Sequence, residues 1–174
     1  MRPSAFLPIA SAALCLLSGC GYHTLGAATH FPPGIKTLAV PVFATRTEAS
    51  GTEQAMTEAV VRELAARTRF RVTTDSGENA DAILHGTILK QVTTPLTYNS
   101  ATQQSSSFLI TIVASVTLTA HDGRVLYQNK NYVFREQYQS TTNLPTFIQE
   151  DPAAIQRLSR EFARQLVADV LEGF

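Results

Sequence analysis

The sequence predicts an α+β fold, a two-layer sandwich with two helices packed on one face of a mixed, mostly antiparallel sheet of four to five strands. Three observations carry that prediction. Ile110, Ile112, Ala114, Val116, Leu118 and Ala120 alternate with Thr111, Ser115, Thr117 and Thr119, the clearest period-2 pattern in the chain. Two other segments repeat apolar residues at helical spacing, each on a single stripe. His121-Asp122-Gly123-Arg124 supplies the punctuation of a tight hairpin. Two helices with one apolar face each need a common surface to cover, and one face of a sheet provides it.

In chain order, Thr37 to Phe43 is β-rich and reads as the first strand, with Pro41 marking an edge or a strand end. Ser50 followed by Glu53 has capping-box spacing, so a helix is expected from about Thr52 to Arg67. Met56, Val60 and Leu64 share its apolar face, and Val61 widens it. Phe70 and Val72 alternate with polar neighbours in a short second strand, and a strand-helix-strand with short joins makes the first two strands parallel. Ala82 to Val92 follows as a strand in which Gly86 marks a bulge or a close backbone approach. An Asp-Gly two-residue turn then connects the strand ending at Ala120 to a last strand, Val125 to Tyr138. Asp151-Pro152 reads as an N-cap followed by proline at the first helical position. The closing helix carries Ile155, Leu158, Phe162, Leu166 and Val170 on one stripe and Arg157, Arg160 and Arg164 opposite it.

The first nineteen residues read as an address. Arg2 gives a positive n-region, Ala5 to Leu17 are mostly small or apolar, and Leu17-Ser18-Gly19-Cys20 resembles the bacterial lipobox. There the cysteine receives a diacylglyceryl group and becomes the first mature residue. The apolar run falls short of the roughly 20 residues that cross a bilayer. The expected organisation is a signal peptide over 1–19, a lipidated Gly/Pro-rich tether over 20–34 and one α+β domain over 35–174. Cys15 lies in the leader, so Cys20 is the sole mature thiol and no disulfide is expected. Without Arg2 the chain has 13 basic and 14 acidic residues, which gives no case for nucleic acid. The lipid would be the membrane attachment. A single acyl chain binds marginally, and a three-chain anchor suffices.

Catalytic chemistry is not legible. His23 and His30 lie in the tether, His85 in a strand and His121 at a turn, none with metal-ligand spacing. No nucleophile elbow, phosphate loop or zinc helix motif occurs. Asp75, Glu78 and Asp81 sit among turn residues, and turn formation accounts for them. The reading is therefore a non-enzyme without cofactor. Two stretches expected to be loops, Thr93 to Ser107 and Gln137 to Gln149, are uncharged and rich in hydroxyls and amides. With Tyr98, Tyr138 and Phe147 among them they suit a wet protein interface, and flexible hairpin ends are the plainer alternative. The arginines of the last helix read as a solvated face.

With these residues in place the chain resembles the LptE family of lipopolysaccharide-assembly lipoproteins. The resemblance rests on Cys20-Gly21-Tyr22, on Thr37-Leu38-Ala39-Val40-Pro41-Val42-Phe43, and on Ala80-Asp81-Ala82-Ile83-Leu84-His85-Gly86, in that order. It implies two helices against a four-stranded sheet and a non-catalytic plug inside the outer-membrane barrel of lipopolysaccharide transport, LptD in that family. It also implies periplasm-facing residence at the outer membrane and contact with lipopolysaccharide. Tyr98, Tyr138 and Phe147 become candidate barrel contacts. Arg124, Lys130 and Arg135 are candidates for lipopolysaccharide by position and charge, since cations suit phosphates. The strand-helix-strand is also similar to the periplasmic domain of TolB and of curli-secretion lipoproteins, which implies a different binding module or a self-assembling secretion component.

Overall fold

The structure, a computed structural model, describes residues 34–48, 51–76, 78–99, 104–139 and 144–172. In order the elements are β1 (Thr37–Ala39), β2 (Ala44–Thr45), α1 (Thr52–Arg67), β3 (Arg71–Thr73), β4 (Ala82–Asn99), β5 (Gln104–Ala120), β6 (Val125–Gln139) and α2 (Leu144–Glu172). The sheet runs β3-β1-β4-β5-β6, with β2 also on β4. The first strands pair in parallel and the β4–β5–β6 meander is antiparallel. The α+β sandwich is as expected, but with six strands where four to five were expected. Pro41 has no N–H to give, so the predicted strand 37–43 stops at Ala39 and pairing resumes in the two-residue β2.

Helix α1 is capped by Gly51, not by Ser50, which lies outside the described residues. The Gly51 N–H donates to Glu53 Oε1 at 3.1 Å, so Glu53 reaches back to the cap from the second helical position, where a capping box uses the third. Thr57 is buried in α1 and ties the chain after β1 to the helix. Its Oγ1 accepts from the Phe43 N–H at 2.9 Å and donates to the Glu53 carbonyl at 2.6 Å. Helix α2 begins at Leu144, well before Asp151, so Asp151 is not its cap. Pro152 lies inside the helix, which passes that point one hydrogen bond short.

One core lies between the helices and the sheet. Met56, Val60 and Leu64 of α1 meet Leu158, Phe162, Leu166 and Val170 of α2 over Leu38, Leu84, Ile88, Ile110, Ile112, Val116 and Leu118. Phe162 is central, edge-on to Phe43, Tyr132 and Phe134 at centroid distances of 6.0, 5.8 and 5.2 Å. Gly86 marks a close approach. A Cβ built there runs into the Phe43 ring, so the aromatic sits on bare backbone.

Two polar clusters fasten the sheet. Tyr132 donates to Asp169 at 2.8 Å and shares a hydrogen bond with the Tyr127 hydroxyl, holding the end of α2 on β6. Burial, then the Tyr127 and Asp169 oxygens, push the Tyr132 phenol far above its ordinary pKa. Asp81 joins three separate points of the chain. Its carboxylate accepts from the Lys36 and Thr37 N–H groups at 2.8 Å each and from Thr37 Oγ1 at 2.7 Å. Its N–H donates to the Thr37 carbonyl, and its carbonyl accepts from the His121 N–H at 2.8 Å. Those donors, the Lys36 N–H first, lower its pKa to about 2.

The β5–β6 connection is a three-residue loop, His121-Asp122-Gly123, where a two-residue turn was expected. Gly123 N–H donates to the Ala120 carbonyl, and Ala120 N–H to the Arg124 carbonyl. Gly123, at φ 86°, takes the left-handed position that closes such a loop.

Candidate interaction surface

The helices cover one face of the sheet and leave the other open. Along β5 the open face carries Leu109, Thr111, Val113, Ser115, Thr117 and Thr119, all half-buried, opposite the fully buried alternate residues. Gln128 Nε2 donates to Thr117 Oγ1 across it, and the exposed His85 shares that row. Hydroxyl side chains make much of this face polar, while Tyr132 and Tyr138 of β6 point into the core.

A register slip shapes the face. Ile88 pairs with Ala114, but Lys90 pairs with Val113, so Leu89 is an extra residue and the alternation of β4 reverses there. Lys90 and Val92 are thereby turned to the open face. Val92 lies in one row with Thr111 and Arg135, and Lys90 in the next with Val113 and Val133. Two cations therefore flank an apolar strip in which Val92 and Val133 are each 38% exposed. The same slip sends Gln91 to the helix side, where its Oε1 is buried with no hydrogen-bond partner among the described residues. A slip that orphans a polar atom while re-aiming a lysine breaks a local rule in the way functional sites do.

Beyond Ile88 neither β1 nor β2 follows β4, and the β4–β5 ribbon continues with residues 92–97 exposed. The expected loop 93–107 is therefore mostly strand, paired out to Asn99↔Gln104 with slips after Pro95 and Thr97. Pro95 is tolerated because β4 is a sheet edge there. Of the expected loop 137–149, the described residues are the end of β6, to Gln139, and the start of α2, from Leu144. Threonine is enriched in strands, so lack of charge marks the surface and not the backbone. Through Ser107↔Gln139 and Phe108↔Tyr138 the two uncharged stretches meet at one end of the sheet.

The residues singled out in the sequence separate accordingly. Arg124 sits at the β5–β6 loop and pairs with Asp122 at 3.8 Å. Lys130 is exposed in an irregular stretch of β6 between Asn129 and Tyr132. Arg135 is on the open face toward the other end of β6 from Arg124, so the three do not form one cluster. Lys90 is the cation that joins Arg135, and sequence reading missed it because strict alternation from Ile88 places it inward. Tyr138 is 4% exposed and stacks on Phe108 at 5.4 Å, so it serves packing where a partner contact was expected. Tyr98 and Phe147 belong to β4 and α2, and their side chains lie outside the described residues, as does Cys20. Arg157 is held at 2.7 Å by Glu136, so the helix arginines are not all simply solvated. Among the described residues no group of three side chains is placed to hold a metal ion, and no helix is long and apolar enough to cross a membrane.

The family model for LptE, lipopolysaccharide-assembly, matches residues 35–170. The chain belongs to the LptE family. The match spans every strand and nearly all of α2, so the open face and the uncharged end of the sheet both lie inside the LptE region. No curated protein matches the chain in sequence. Among solved structures, a lipoprotein from Caulobacter crescentus is similar at a TM-score of 0.54 and 13% identity, covering 75% of this chain and 88% of that one. A hypothetical protein from Chlamydia trachomatis is similar at 0.52 and 15%, covering 80% and 99%. Lipoprotein B from Nitrosomonas europaea is similar at 0.51 and 10%, covering 77% and 81%. At these identities the likeness is one of fold.

Proposed function

We propose that this LptE-family chain is an outer-membrane lipoprotein, anchored through lipid on Cys20 and facing the periplasm. It acts as plug and assembly partner of the lipopolysaccharide-translocating barrel, an LptD-like protein, and aids delivery of lipopolysaccharide to the outer leaflet. It binds and positions and does not catalyse. The observation that carries the reading is the meeting of two uncharged stretches at one end of a sheet whose open face presents Lys90 and Arg135. A barrel lumen is a wet polar surface, which uncharged hydroxyl and amide groups match without a desolvated charge. Lys90 and Arg135 beside Val92, Val113 and Val133 suit an anionic amphiphile, with phosphates at the cations and alkyl groups on the valines.

Photocrosslinkers at Tyr98 and Phe147 test the partner. They should capture one large outer-membrane protein, with capture persisting in moderate salt because neither stretch is charged. Adducts made only with copies of this chain would favour a self-assembling secretion component and overturn the plug.

A further inference from the structure

The Asp81 cluster stands where the chain enters the folded sheet. Gly34 is exposed, and β1 begins soon after it as a three-residue strand between β3 and β4. So short a strand has few ladder bonds of its own. The Lys36 and Thr37 N–H groups and the Thr37 hydroxyl instead converge on one carboxylate oxygen of Asp81, all within 2.8 Å. Thr37 Oγ1 accepts in return from the Asp81 N–H at 3.0 Å, so the two residues are bonded both ways. The Asp81 carbonyl accepts in turn from the N–H of His121, the first residue of the β5–β6 loop. Bonds to an ionised acceptor are the stronger class, and this carboxylate stays ionised down to strongly acid pH.

We infer that Asp81 is a mechanical stop: tension arriving along the N-terminal chain passes at residues 36–37 into β4 and the β5–β6 hairpin and does not peel β1 from the sheet. The geometry favours this because β1 and β4 are parallel, paired at Leu38↔Ala82, and Asp81 immediately precedes β4. A pull on Gly34 away from the far end of β4 therefore shears the Asp81 bonds together, with the single Arg71 N–H bond to the Lys36 carbonyl beside them.

Single-molecule pulling on the full, unlipidated chain tests this. One handle is placed on Cys20, with Cys15→Ser, and the other on Thr94→Cys in the exposed part of β4. A control axis joins Arg62→Cys to Thr94→Cys with both natural cysteines replaced by serine, and bypasses residues 36–37. Asp81→Asn and, as a milder variant, Thr37→Val should lower the rupture force on the Cys20 axis and leave the control axis unchanged. Amide exchange at Lys36 and Thr37 should speed by about tenfold in Asp81→Asn, while Ile112 and Val116 keep their protection. An unchanged force on the Cys20 axis, or an equal loss on both axes, overturns the inference. No lipid enters the measurement, so its outcome is separate from that of lipidation at Cys20.

Discussion

Phe162 meets three aromatic rings edge-on and is fully buried, while Arg160 two positions earlier is exposed. Phe162→Ala should cost about 3–5 kcal/mol, the range for truncating a core aromatic. Arg160→Ala should stay within about 0.5 kcal/mol, and denaturant midpoints of the two variants compare them directly. Gly86 makes the opposite point, since what matters there is the missing atom. Gly86→Ala should cost about 1–3 kcal/mol through the Phe43 ring. A double-mutant cycle with Phe43→Leu should show coupling that relieves part of that cost, because the smaller side chain can retreat. Both residues are readable in the sequence, Phe162 from its stripe and Gly86 as a close approach. The ring over Gly86 is not, because Phe43 lies on the far side of α1 in the chain and only the fold brings it over. Asp81 is hidden for the same reason: its neighbours Ser76, Gly77 and Asn79 advertise a turn, while its partners are at 36, 37 and 121.

At the scale of elements, α1, the alternation in β5 and the order of strands follow from local pattern, which records which face is buried. Boundaries fail where a residue with local meaning is overruled by its surroundings. Asp151-Pro152 has the form of a helix start, yet α2 already runs through it. The Asp-Gly turn closes with three residues and not two, and the dipeptide does not distinguish the lengths because both kinds of loop place glycine at positive φ. The bulge at Leu89 leaves no mark in composition, although it decides which side Lys90 occupies. Deleting Leu89 should be tolerated, because Ile88 and Lys90 already pair with the consecutive residues Ala114 and Val113. The ladder closes, Lys90 and Val92 stay on the open face, and the loss of one half-buried leucine should cost no more than about 2 kcal/mol. Deleting Thr111 is different, since pairing there is regular on both sides. One end of β5 would be thrown onto the wrong face, at a cost above about 4 kcal/mol in chemical denaturation. Equal midpoints for the two deletions would mean that Leu89 is not the extra residue.

For the whole molecule, the one prediction that bears on its address concerns Cys20. Cys20→Ala should abolish incorporation of a tagged fatty acid and leave the leader uncleaved by the lipoprotein peptidase; label persisting on the variant would count against the anchor. The long meander, for its part, sets a reach. β4 starts beside the point where the chain enters the sheet and ends at the uncharged tip, and its 18 residues at about 3.3 Å each span about 60 Å before twist is taken into account. The strand is then a ruler whose zero is the point where the chain enters the sheet. Removing one two-residue step from both β4 and β5 would lower the tip by about 7 Å and keep every side chain on its own face. Reach and surface chemistry can thus vary independently, and strand length alone sets how far the uncharged tip stands from the point of entry.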